Sequence, residues 1–394
     1  MESIHLFLMA VSFTRYDVIV AGLGAMGSAT AAQLAMRGKK VLGLDRWAPG
    51  HRNGSSHGDS RIIREMYFEH PMYVPLLGRA YDLWADLEKR VDEKLLNIHG
   101  GLMIGRDDGM LVTGTLRSAR QHRLGHTVLS PADVKRKYPA FDIDPDLVAV
   151  VDRRAGWLDP ERCNGAHLKV AAQKGAELRF EEPVISWTAD DHGVSVATSH
   201  ATYAAGHLVL CAGARTRDLL GDLELNLEVE RQAVFWMEPP HTTRYDPANF
   251  PIWAYEYRPG YICYGFPNLA RGVKASIMHS GQIVADADTV NRRVSDEEAA
   301  DLKNAIAPVL PELSRAKVQE RDVCLFTNTP DHDFVIDFHP DYRRVVVSSA
   351  CSGHGFKFAS VIGEIQADLI VDGRSRFDLT PFSIRRPGVI ARGA

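Results

Sequence analysis

The sequence predicts an α/β protein with a mixed α+β part: a Rossmann-like dinucleotide-binding domain interleaved along the chain with a domain built on a mixed, largely antiparallel sheet. Three observations predict it. Residues 17–45, DVIVAGLGAMGSATAAQLAMRGKKVLGLD, read as a strand, a glycine turn, an Ala-rich helix closed by Gly38, and a second strand ending in Asp45. Residues 207–214, HLVLCAGA, read as a later, buried strand ending at Gly213. Between about 225 and 280 the apolar spacing turns to period two, and RPG separates IWAYEY from YICYGF as in a hairpin.

In the first βαβ unit, Gly22 permits the tight turn, Gly24 lets the backbone approach a pyrophosphate, and Gly27 allows close packing of helix on strand. Amides at the helix N-terminus, around Ala25 and Met26, meet the phosphate charge. Asp45, followed by Arg46, can accept both ribose hydroxyls and disfavours a 2′-phosphate. This motif alone leaves FAD and NAD open. HLVLCAGA favours FAD, because flavoproteins of the glutathione-reductase type return to the nucleotide with such a strand, where small residues such as Ala212 and Gly213 let the backbone pass close to the cofactor. Cys211 within it reads as a buried small hydrophobe.

Residues 47–60, WAPGHRNGSSHGDS, are too rich in Gly, Asn and Ser for a regular element and suit a segment covering the cofactor, with Ser56 and Ser60 as contacts. Helical spacing follows over 73–91, and again from Asp159 as N-cap and Pro160 at N1 to Gly175 as the stop. Residues 295–310 read as a capped amphipathic helix. Strands follow near 317–326, 334–338 and 344–350, then a helix over about 356–371 whose buried face is Val361, Ile362, Ile365 and Leu369. Nucleotide signals near 22, 210 and 350 imply a discontinuous cofactor domain, residues 14–90, 145–222 and 320–394, with 91–144 and 223–319 forming the substrate and catalytic domain. MESIHLFLMAVSF reads as an amino-terminal extension, since it lacks a basic start and a cleavage site.

A net charge of −4 with no Lys/Arg block gives no electrostatic footprint for nucleic acid or an anionic membrane, and no apolar run is long enough for a membrane span. A small molecule is the expected partner. The five cysteines, at 163, 211, 263, 324 and 351, are odd in number and without CxxC pairs, which points away from disulfides and a metal site and toward a reducing, cytoplasmic setting.

Several residues are candidates for chemistry. Cys324, in RDVCLFTNTP, reads as an inert small hydrophobe, a metal ligand, a nucleophile or an attachment point. In HGDSRIIR, Arg61 and Arg64 stand three apart, on one face if the segment is helical, and guanidiniums bind carboxylates or phosphates through their planar fork. Lys357 falls in a first helical turn, where a cation opposes the helix dipole; a bound anion or simple snorkelling to water would each account for it. Trp253, Tyr255 and Tyr257 share one strand face, and Ile262, Tyr264 and Phe266 another. Either face packs a sheet or lines a pocket.

Taken together, GLGAMG, HRNGSSHGDSRIIR, YGFP, VCLFTNTPDHDFVID and CSGHGFKF resemble the monomeric sarcosine oxidase and N-methyltryptophan oxidase family, with fructosyl amino acid oxidases as close relatives, over residues 16 to about 387. The resemblance implies a monomeric, FAD-dependent amine oxidase of the D-amino-acid-oxidase superfamily that uses dioxygen as acceptor. By motif, Cys324 would hold the flavin through a thioether to its 8α carbon, and Arg64 and Lys357 would bind the substrate carboxylate. Arg61 would lie against the flavin ring, Lys274 would activate oxygen, and His279 and Tyr264 would line the substrate pocket. Gly353, His354, Gly355 and Phe356 would join Lys357 around the flavin. Phe326 stands where the resemblance leads one to expect tyrosine, and Tyr255, counted with the catalytic residues, where it leads to methionine. The implied reaction converts a secondary amino acid, sarcosine or another N-methyl amino acid, to the free amino acid, formaldehyde and hydrogen peroxide. A bulkier substrate such as N-methyltryptophan or a fructosyl amino acid is the alternative. An NAD-dependent dehydrogenase would leave Cys324, HGDSRIIR and SGHGFKF without roles.

Overall fold

The first strand, Tyr16–Ala21, is buried at every position but one, as its unbroken apolar run demands of a central parallel strand. It pairs in parallel with Val41–Leu44 on one side and Thr202–Leu210 on the other, so the later strand does return to the nucleotide turn. The computed structural model describes residues 16–391, and the extension MESIHLFLMAVSF lies outside them. Among the described residues the first sheet has eight strands, continued on one edge by Glu177–Arg179 and on the other by Val184–Ala189 and Val194–Thr198, with Val345–Ser349 pairing Thr202–Leu210 and Val335–Phe338 pairing Val345–Ser349.

The helices Ala25–Met36, Val74–Val91, Pro160–Gln173 and Ala359–Asp372 pack into one core on this sheet. Pro160–Gln173 starts where Asp159 accepts from the Arg162 amide (2.9 Å), as its cap sequence predicts. The last helix departs from the expectation of a single buried face. Ser360, Gly363, Glu364 and Gln366 are buried as well, because Ala25–Met36 and Val74–Val91 flank it and a β carbon on Gly363 would lie 2.6 Å from the Ala29 backbone.

The second sheet has nine strands among the described residues. The hairpin Ile252–Arg258 and Tyr261–Leu269 turns at Pro259–Gly260, with Gly260 at φ +78°, and continues through Gly272–Ile277 to Glu228–Met237 and Val318–Asn328. On the other side come Gly101–Arg106, Leu147–Asp152 and Thr127–Leu129. Two domain boundaries therefore shift: Leu147–Asp152 and the whole strand Val318–Asn328 belong to the substrate sheet, although the sequence placed 145–222 and 320–394 with the nucleotide domain. Apolar strands do not carry the identity of their sheet. The helix expected over 295–310 spans Asp296–Ile306, opened by a capping box between Ser295 and Glu298 and closed two residues before Pro308. No helix among the described residues is long and apolar enough to cross a membrane.

Candidate active site

One cavity of about 610 Å³ runs from the first glycine turn, under the 47–60 segment, to the hairpin and the SGHGFKF turn, within the roughly 300–1,000 Å³ of small-molecule sites. At the nucleotide end the backbone makes the site. Gly22 has φ +92°, and a β carbon there would lie 2.4 Å from the Cys211 carbonyl oxygen; one on Gly27 would lie 1.7 Å from that of Gly22. A β carbon on Gly24 meets only the Ser56 hydroxyl, at 3.8 Å, so its absence leaves room for a ligand rather than for the protein. Asp45 accepts from the amides of Leu23 (2.7 Å) and Trp47 (2.8 Å), each carboxylate oxygen keeping a lone pair for a ribose hydroxyl. Ala25, Met26, Arg46, Ala212 and Gly213 complete this end. The glycine cradle, the helix N-terminus and the free capacity of Asp45 fit the FAD that the second strand favoured.

In the middle of the cavity, Arg61 is held over Cys324. It donates to the carbonyls of Ser60 (2.8 Å) and Ser55 (2.9 Å) and to Cys324 Sγ (3.3 Å). Arg61–Ile63 is a short strand against Gly156–Leu158, so Arg61 and Arg64 do not share a helical face. Both nevertheless line the cavity, because the chain leaves the strand after Ile63. Burial opposes the charge of Arg61, but Cys324, Tyr264 and Glu161 hold its proton more firmly than usual. Lys274 is 3% exposed and donates to the carbonyls of Gly58 (2.6 Å) and Ser60 (2.9 Å). Burial and the nearby Arg61 push its amine well below the ordinary lysine range, so Arg61 is the firmer positive charge of the two.

At the far end the site is made of side chains. Arg64 lies over the rings of Tyr67 (4.2 Å) and Phe68 (4.3 Å) and reaches both oxygens of Glu69 at 2.6 and 2.5 Å. Burial disfavours the Glu69 carboxylate, yet Arg64 above all, with Lys357, holds it below the usual range. Lys357 stands in a tight turn, Phe356–Phe358, just ahead of the helix rather than in its first turn, and donates to the His354 carbonyl (2.6 Å). Burial and Arg64 lower its pKa to about 7. His354 is neutral, pushed down to about 3 by burial, and links Tyr67 (2.6 Å) to the His332 carbonyl (3.0 Å). Gly355 cannot carry a β carbon, which would lie 1.8 Å from the Ala350 carbonyl oxygen.

The hairpin corrects one residue. Ala254 pairs directly with Tyr264, and Tyr255 with Cys263, so Ala254, Ile262, Tyr264 and Phe266 face the cavity. Tyr255 points the other way, into a core it shares with Trp253 and Cys263, and is no active-site residue. Phe326 and Gly353 line the cavity, and His279 packs behind them, its ring 5.4 Å from that of Phe326. Two acids escaped the sequence reading. Glu69 pairs with Arg64 and Glu230 with His279 (2.9 Å), and neither stands in a motif that would single it out.

The family model "FAD dependent oxidoreductase" (DAO) matches residues 17–369. Monomeric sarcosine oxidase of Streptomyces avermitilis is 42% identical over 376 residues, covering 94% of this chain and 97% of that protein. N-methyl-L-tryptophan oxidase of Escherichia coli O157:H7 is 33% identical over 94% of this chain and 99% of its own. Among solved structures, NikD, an unusual amino acid oxidase essential for nikkomycin biosynthesis, matches 96% of this chain and 98% of its own with a TM-score of 0.82 at 26% identity.

Proposed function

This chain belongs to the DAO family of FAD-dependent oxidoreductases, and from that premise we propose that it oxidises an N-methyl amino acid, sarcosine in the simplest case. It is a flavin-dependent amine oxidase. FAD held by the glycine cradle and Asp45 would supply the two-electron acceptor for the amine, with dioxygen reoxidising it. The overall reaction consumes the amine, oxygen and water and gives the free amino acid, formaldehyde and hydrogen peroxide.

The observation that carries the substrate class is a charge count at the far end. Arg64 and Lys357 stand against one buried carboxylate, Glu69, so with Lys357 protonated one positive charge has no partner. A substrate carboxylate supplies that partner, and two cations fixing it hold the amine against the middle of the cavity. Ala254, Ile262 and Phe266 offer apolar surface to the N-methyl group and any side chain. Arg61, with Lys274 beside it, places positive charge where oxygen gains negative charge.

Cys324 anchors the cofactor covalently on this reading. It lies in the wall of the cavity that the nucleotide cradle and the two cations also line, in contact with Arg61. All five cysteines are free, which suits a reducing cytoplasm, and the sarcosine oxidase relatives are named as monomers. A visible spectrum before and after acid precipitation tests the cofactor and its linkage together. The protein should be yellow and the pellet should keep its colour, while Cys324→Ala should lose it to the supernatant. Flavin that remains bound to precipitated Cys324→Ala would defeat the linkage. A peroxide-coupled screen of N-methyl, cyclic and glycated amino acids then ranks the substrates, and no peroxide from any N-methyl amino acid would defeat the substrate class.

A further inference from the structure

The amine of Lys274 is held by backbone: Nζ donates to the carbonyl oxygens of Gly58 (2.6 Å) and Ser60 (2.9 Å). The Ser60 oxygen also accepts from Arg61 (2.8 Å), so one turn, residues 58–60, positions both cations in the middle of the cavity. That turn is not one a chain adopts readily. Gly58 and Asp59 stand side by side in the left-handed region, at φ +94° and +65°, and only the first is a glycine. The Ser60 amide donates back to the Gly58 carbonyl (2.8 Å), closing a three-residue turn with positive φ at its centre, the rarer and more strained form. A non-glycine residue keeps such a backbone where its surroundings hold it.

Glu161 supplies the hold. It follows Pro160 at the start of the helix Pro160–Gln173, where a carboxylate suits the helix dipole, and it lines the cavity together with Lys274. Its two oxygens meet the two amides of the turn: Oε1 accepts from Gly58 (2.5 Å) and Oε2 from Asp59 (3.3 Å). The Gly58 carbonyl and the Asp59 amide belong to one planar peptide unit, so a carboxylate on the N–H fixes the direction of the oxygen that Lys274 uses. A second tie secures the turn against unfolding. Asp59 Oδ2 accepts from Arg271 (2.9 Å), whose guanidinium lies 3.8 Å from the Trp236 ring, and the rings of Trp236 and Phe266 lie 5.3 and 5.1 Å from the Lys274 amine. Loss of the Glu161 charge therefore leaves the turn in place and frees its aim.

We propose that Glu161 is a positioning residue for the oxygen half of the reaction: its carboxylate clamps the Gly58–Asp59 turn and, through the Gly58 carbonyl, sets where the Lys274 amine stands. This rests on the reading that places oxygen reduction beside Arg61 and Lys274. The step it serves passes two electrons from the reduced cofactor to dioxygen, which gains two protons, from cofactor and solvent, to give hydrogen peroxide; Glu161 neither gains nor loses a proton in it.

The test measures the two half-reactions apart on the flavin-loaded protein. In Glu161→Gln one of the two acceptors becomes an NH₂ group, which faces an amide without accepting from it. Anaerobic bleaching by sarcosine should keep its rate within about twofold, while reoxidation by oxygen should slow about ten- to a hundredfold, as misplacing a group by an ångström does. Added to Lys274→Met, Glu161→Gln should slow reoxidation no further, because an effect that runs through Lys274 is absent without it. Equal slowing in both backgrounds, or unchanged reoxidation in Glu161→Gln, would overturn the inference, since general damage adds independently of Lys274. Should Glu161→Gln fail to fold, Glu161→Asp, which keeps the charge and draws it back by one methylene, should show the same selective slowing, and its absence there would count equally against the inference. Apart from turnover, the ε-methylene NMR signal of Lys274 in ¹³C-lysine-labelled protein, identified by its loss in Lys274→Met, should move in either variant; an unmoved signal would overturn the inference. If Lys274→Met reoxidises at the unaltered rate, the oxygen reading itself has failed, whereas a slow Lys274→Met beside a normal Glu161→Gln sinks only the role of Glu161.

Discussion

The two ends of the cavity are built by different means. At the nucleotide end, backbone does the holding: glycines at 22 and 27 cannot carry a side chain, and a helix N-terminus points at the site. At the substrate end, charged side chains are held by other side chains, Arg64 by Glu69 and His279 by Glu230, with Lys357 donating to a backbone carbonyl. The first end is rigid and tolerates nothing larger than hydrogen. The second has adjustable charge, because an amine with a pKa near 7 sits between an arginine and a glutamate. A cofactor that stays bound and a substrate that comes and goes call for these two constructions.

The contrast breaks most sharply at Gly27. Gly27→Val would drive a side chain into the Gly22 carbonyl, overpacking that costs about 1–3 kcal/mol or more, concentrated on the cradle itself. Flavin content of the purified protein should fall to near zero, and a fully loaded variant would show that the cradle is softer than its geometry says.

At the other end the expected losses are in substrate affinity. Arg64→Ala removes one partner of a buried charged contact, worth about 2–5 kcal/mol, so KM for sarcosine should rise by well over tenfold with the flavin still in place. Unchanged KM would remove Arg64 from the carboxylate site.

A smaller effect follows from pH. Lys357 in the substrate-free protein loses its proton near pH 7 rather than above 10, since burial and Arg64 disfavour its charge. Carboxylate binding needs that charge, so KM should climb as pH rises through about 7. The same depression has a stability consequence of the same origin. The unfolded chain holds this proton up to the ordinary lysine pKa, so between about 7 and 10 the folded form binds fewer protons and gains stability with rising pH. Both trends should flatten in Lys357→Met, and a KM that stays level across pH 6–9 in the unaltered protein would place the titration elsewhere. The smallest expected effect is at Tyr255. Tyr255→Phe alters the face of the hairpin away from the cavity and should leave KM within about twofold, so a large change there would reverse the strand phase assigned to Ala254.

The two ends also differ in how far the sequence discloses them. GLGAMG, Asp45 and the Asp159 and Ser295 caps are local signals, each fixed by contacts a few residues or one βαβ unit away, and each appears in the structure where the chain predicts it. Cys324, Arg61, Arg64 and Lys357 stood out by residue type and position and took their roles from motif resemblance, and the fold brings all four to one cavity. Tyr255 was misplaced because period two shows that a strand has two faces and not which one meets the site. Glu69 sits five residues from Arg64 yet carries no motif. Glu230 lies 49 residues from His279 and meets it only through sheet pairing. The same long-range pairing moved residues 147–152 and 320–328 into the second sheet.

The most direct test of the account is anaerobic mixing of the purified protein with sarcosine, or with the best N-methyl amino acid of the peroxide screen, followed by air. The flavin absorbance should bleach without oxygen, half-saturating at far higher amine concentration in Arg64→Ala than in the unaltered protein, and should return when oxygen enters. A flavin that no N-methyl amino acid bleaches, or one that bleaches identically without Arg64, would contradict it.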